Sequence, residues 1–121
     1  MSPASAASVL AALDIMESEP ERIKHLWDVT NFARNSFLSI GFDTGVSETP
    51  VIPLFIRDDI KALQMTKMLL EEGIFVNPVV YPAVSRENSL IRFSLMATHT
   101  MEQVQIALDK IEKVAKKLEI I

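Results

Sequence analysis

The stretch Ser89–Thr100, reading Ser-Leu-Ile-Arg-Phe-Ser-Leu-Met-Ala-Thr-His-Thr, is a strand without proline or glycine that runs straight into a helix start. Strand side chains alternate between faces, so Ile91, Phe93, Leu95 and Ala97 fall on one side and Leu90, Arg92, Ser94 and Met96 on the other. The two other strand candidates, 51–56 and 74–80, contain Pro53 and Pro78. Each proline removes a ladder donor, which a central strand tolerates poorly. The Arg92 strand is therefore expected at the centre, with the other two flanking it and a helix joining them as a right-handed split β-α-β crossover. The expected fold is α+β: a small three-stranded antiparallel sheet with helices on one face. The other face carries Arg92.

The remaining elements follow from period and punctuation. Residues 3–18 are rich in alanine and read as helix, with Ser2 as cap and Pro3 in the first turn. Small residues on several sides of that helix predict close packing against another body. A second helix spans about 20–40, with Ile23, Leu26, Trp27, Phe32, Ala33, Phe37 and Ile40 on a broad apolar face and Gly41 as its stop. Residues 42–50 have loop composition. A third helix over about 60–72 places Ala62, Leu63, Met65, Leu69 and Leu70 on one arc, and Gly73 closes it. Tyr81–Asn88 reads as a loop. Thr100, with Gln103 three residues on, forms a capping box, and Val104, Ala107, Leu108, Ile111, Val114, Ala115 and Leu118 then keep helical period to the end.

Composition bounds the function classes. The 121 residues contain no cysteine, which excludes disulfides and thiolate metal sites. The two histidines, His25 and His99, are far apart in sequence, so a histidine metal site is not expected. Net charge is −4 and the twelve basic residues are scattered, which argues against nucleic acid as a partner. No apolar run has the length of a membrane span and no signal-peptide pattern opens the chain, so a soluble cytoplasmic protein is expected. The chain is 49% hydrophobic, more than so small a domain can hide. Part of that surface is expected to meet a missing domain or a second subunit.

A planar guanidinium on an uncovered sheet face suits a carboxylate, because its fork matches two oxygens at once. The same residue is also found on such faces paired with a neighbouring acid. His99 and Tyr81 are each open to two readings, as cleft residues or as parts of a cap and a rigid Tyr-Pro turn. The lysines at 24, 61, 67, 110, 113, 116 and 117 all fall on predicted helices, and none is a candidate catalyst.

Three segments, taken in order, resemble the C-terminal small domain of the α-oxoamine synthases. That group of fold-type-I pyridoxal-phosphate enzymes includes 8-amino-7-oxononanoate synthase, glycine C-acetyltransferase, serine palmitoyltransferase and 5-aminolevulinate synthase. The opening Ser-Pro-Ala-Ser-Ala-Ala-Ser-Val-Leu-Ala-Ala-Leu resembles the exit from the family's large domain. Thr44–Pro53 resembles the loop and first strand of the small domain. Tyr81-Pro82-Ala83-Val84 with Ile91–Thr100 resembles its arginine strand and helix start.

The resemblance implies a transferase that condenses an amino acid with an acyl-CoA, usually with loss of carbon dioxide. It implies that Arg92 binds the substrate carboxylate and that Ser47 and Thr49 line the same cleft more weakly. Pyridoxal 5'-phosphate would be held mainly by a large domain absent from these residues, and the parent would be a homodimer. The family's cofactor lysine has no counterpart here, so residues 1–121 are expected to be a C-terminal fragment, inactive alone. In that division, 1–41 is a helical lead-in and 42–121 the small domain. Two rivals stay open: the small domain of an aminotransferase, and a standalone module for amino-acid binding or dimerisation.

Overall fold

The computed structural model describes all 121 residues. Strands β1 (Val51–Phe55), β2 (Asn77–Val79) and β3 (Leu90–Ser94) form one sheet in the order β1-β3-β2, both pairs antiparallel. The proline strands are the edges: Pro53 lies opposite Arg92, and Pro78 opposite Ile91. Four helices complete the chain: α1 (Pro3–Ser18), α2 (Glu21–Ile40), α3 (Asp59–Glu71) and α4 (Met101–Lys117). This is the α+β sandwich expected from the sequence, with α3 crossing between the two edge strands.

The core lies between one sheet face and α2, α3 and α4. Ile52, Leu54, Ile91 and Phe93 meet Ala33 and Phe37 of α2, Met65 and Leu69 of α3, and Leu108 and Ile111 of α4 in one buried cluster. Phe37 packs edge-on to Phe42 and Phe93, with ring centroids 5.7 and 5.0 Å away. Thr100 caps α4 as expected: its side chain accepts from the Gln103 amide, and the Gln103 side chain accepts from the Thr100 amide. No helix is long and apolar enough to cross a membrane.

The structure differs from expectation in several places. β2 has three residues where 74–80 suggested seven. Gly73 turns through positive φ and Ile74 bonds back to the Leu69 carbonyl, so the chain is still leaving α3 there. Phe75 is 77% exposed as a result. β3 ends at Ser94 rather than Ala97, because the Met96 amide is taken by a side chain instead of a strand. Ile23 and Trp27 of α2 are about 40% exposed, and Val29 and Thr30 enter the core instead. Leu63 and Leu70 of α3 are also exposed. Finally, Arg86–Asn88 forms a 3-10 turn within the expected loop. Helix α1 buries no residue at all, so the close packing its composition suggests is not made within this chain.

Candidate functional site

Alternation along β3 sends Ile91 and Phe93 into the core and leaves Arg92 on the helix-free face. Register sets it between Pro53 on β1 and Asn77 on β2, in the middle of that face. Three of the five arginines make ion pairs: Arg22 with Glu19, Arg57 with Asp43 and Arg86 with Asp59. A fourth, Arg34, donates to the Thr49 carbonyl at 2.7 Å. The Arg92 side chain makes neither an ion pair nor a hydrogen bond within the chain. The neighbouring-acid reading of this residue therefore has no partner in the structure. Its guanidinium is free to take an anion from outside.

Where β2 falls short, β3 runs on without a neighbour on that side, and a cleft of about 560 Å³ opens beside it. Arg92, Asn77, His99 and Gln103 give its lining polar groups, and Phe75, Met96 and Ile106 are among its apolar ones; His99 lies just before α4 and Gln103 in its first turn. The cleft thus joins an unpaired cation to apolar surface. That pairing suits a molecule with a carboxylate and an apolar part.

Ser47 and Thr49 lie on the loop into β1. The Ser47 hydroxyl donates to the Val51 carbonyl at 2.7 Å, and the Thr49 hydroxyl accepts from the Val51 amide at 3.4 Å. Val51 pairs with Ser94, two positions from the Pro53–Arg92 pair. The two hydroxyls therefore border the face from one end and do not meet Arg92 or line the cleft. The loop is braced at its start. The Asp43 carboxylate accepts from the Gly45 amide at 2.9 Å and from Arg57 at 2.6 Å. These bonds, the amide first and the guanidinium second, hold the Asp43 carboxyl below the usual carboxylate range. Gly45 has positive φ, and a Cβ there would stand 2.9 Å from the Phe55 ring.

Two residues left undecided by the sequence are placed by the structure. Tyr81 sits past the far end of β2, where the Arg86 guanidinium covers its ring at 4.5 Å, away from the cleft. His99 lines the cleft, accepts the Met96 amide through Nδ1 at 2.9 Å, and offers its carbonyl to His25 Nε2 at 2.7 Å. Sequence distance concealed this histidine pair. The only signal was a histidine just before a helix cap.

The sheet that bears Arg92 carries no lysine. All seven lysines lie on α2, α3 and α4, the helices that cover the opposite face. Lys110 is tied to the Glu72 carbonyl, and Lys113 and Lys116 pair with Glu72 and Glu112. These residues therefore set no amine beside Arg92 to which pyridoxal phosphate could be joined.

Comparison with known proteins bears on the family and on the fold. Residues 1–111 match the model of the family described as aminotransferase class I and II. A serine palmitoyltransferase of Sphingobacterium spiritivorum is 55% identical over 120 residues, covering 99% of this chain and 30% of the relative. An 8-amino-7-oxononanoate synthase of Symbiobacterium thermophilum is 42% identical over 119 residues, covering 98% of this chain and 30% of the relative. A solved structure of SPT with PLP superposes with a TM-score of 0.84 at 24% identity, over 89% of this chain and 28% of that one. The chain therefore spans about 30% of the length of the curated relatives it matches. Two members of the group that the sequence resembles recur here by name.

Proposed function

The chain belongs to the class I and II aminotransferase family, and on that footing we propose that it is the carboxylate-binding small domain of a pyridoxal-phosphate-dependent α-oxoamine synthase. The whole protein would condense an amino acid with an acyl-CoA. Serine and a palmitoyl thioester are the first pair to test, because the 55% identical relative is named for them. Its relatives' names favour acyl transfer over amino transfer.

The observation that carries this reading is Arg92, a central-strand arginine with no partner inside the fold. Its two outer nitrogens donate to both oxygens of a carboxylate in one plane, which fixes the orientation of the amino acid as well as its position. Ser47 and Thr49 hold the β1 loop at the rim of that site. Pyridoxal phosphate, bound by residues outside these 121, supplies the electron sink. The exposed apolar side of α1 faces the rest of that protein, and 1–41 serves as the lead-in to 42–121.

Steady-state kinetics on the longer protein test this. Arg92→Ala is expected to raise KM for serine roughly 10- to 100-fold, the value of a charge-assisted bond, with cofactor content unchanged. A variant with unaltered KM for the amino acid contradicts the assignment.

A further inference from the structure

The turn from β3 into α4 is closed by a backbone bond, from the His99 amide to the Met96 carbonyl at 3.1 Å, and by two imidazole rings. His99 Nδ1 accepts the Met96 N–H at 2.9 Å, and the His99 carbonyl accepts from His25 Nε2 at 2.7 Å. A ring nitrogen that accepts carries no proton, so His99 is the neutral tautomer with its hydrogen on Nε2. His25 must carry hydrogen on Nε2 to donate.

The bond sits where the sheet itself gives out. β2 begins at Asn77, opposite Arg92, so no strand lies beside Ser94–Met96 on that edge. On the other edge the Leu95 amide is fixed by the Pro50 carbonyl. The run-out of β3 is thus pinned from two sides within four residues of Arg92, once by backbone and once by His99. Thr100 then begins the α4 capping box, and His25 ties the same turn to α2. Arg92, Met96 and His99 share one cleft.

We propose that His99 is a positioning residue for Arg92. Its Nδ1 keeps the end of β3, which has no strand neighbour on the β2 side, in one conformation, so that the guanidinium stands where a carboxylate meets both its prongs. An arginine is a long side chain with much rotamer freedom, and its aim depends on a fixed Cα. A misplacement on the order of 1 Å in such a clamp is costly in rate and affinity. The inference rests on the carboxylate role proposed above for Arg92.

Asparagine and glutamine separate positioning from bulk. Asparagine Oδ1 lies as many bonds from Cα as histidine Nδ1, whereas the glutamine amide reaches the Nε2 position. In the longer protein, His99→Asn is expected to keep amino-acid affinity within about threefold, and His99→Gln to weaken it about 10-fold. On an Arg92→Ala background, His99→Gln should change nothing further. Equal effects of Asn and Gln, or an equal loss with Arg92 already gone, would overturn the proposal. Nitrogen NMR of the 121-residue chain checks the bond without any reaction: the account requires the Nε2–H tautomer at His99 and a slowly exchanging Met96 amide. The other tautomer overturns the inference even if Arg92 binds a carboxylate. If the tautomer is as stated but Arg92→Ala leaves amino-acid binding intact, the carboxylate reading is at fault, and positioning falls with it.

Discussion

Arg92 faces Pro53 and Asn77 across the sheet and meets no acid, so removing its charge leaves the internal contacts of the fold in place. Arg92→Ala is therefore expected to leave the unfolding midpoint of the chain unchanged while amino-acid affinity falls in the longer protein. Arg92→Lys keeps the charge but loses the fork, and an affinity about 10-fold below wild type is expected in a binding titration. Asp43 behaves in the opposite way, as a structural charge. Its folded pKa lies below the ordinary value, so its stabilisation is present above the unfolded pKa of about 4 and is lost as pH falls through the folded one. The chain should accordingly be more stable than Asp43→Asn at pH 7 in urea unfolding, with the gap closing below about pH 4. A gap independent of pH would contradict the Asp43–Arg57 pairing. The facing of Arg92 was legible in the sequence because period 2 sorts a strand's side chains without knowledge of its neighbours. The bond from His99 to Met96 was not, since it depends on where β3 loses its partner.

Each element owes its boundary to a local device or to its neighbours, and only the first kind can be read in advance. The capping box at Thr100 is the clearest local device, and the α4 start matches its sequence signal. Thr100→Ala should cost about 1 kcal/mol in denaturant unfolding. Ile111 of α4, fully buried in the core, is expected to cost about 2–5 kcal/mol as Ile111→Ala, because a cavity remains. β2 shows the second kind of boundary. The apolar run Ile74-Phe75-Val76 reads as strand, yet the chain is still unwinding from α3 through Gly73, and pairing starts only at Asn77. The first turns of α2 are similar: Ile23 and Trp27 are apolar and in phase, yet both stay about 40% exposed. Hydrophobic period identifies a face and does not supply what covers it.

At the scale of the molecule, the high apolar content of the sequence is accounted for by surface as well as core. Val9, Leu10, Leu13 and Met16 of α1 are all exposed, and the helix buries nothing within the chain. Deleting residues 1–18 should leave the thermal midpoint of the remaining chain unchanged. A large drop would mean that α1 packs onto the core after all. The sheet order was legible because Pro53 and Pro78 exclude their strands from the centre. The cleft was not, because it arises from the shortfall of β2. The measurement that bears most directly on the central claim compares serine with serine carboxamide as ligands of the longer protein, with and without Arg92. The account predicts that wild type prefers the carboxylate roughly 10- to 100-fold and that Arg92→Ala binds the two alike. A preference for the carboxylate that survives in Arg92→Ala would place the clamp elsewhere and contradict the account.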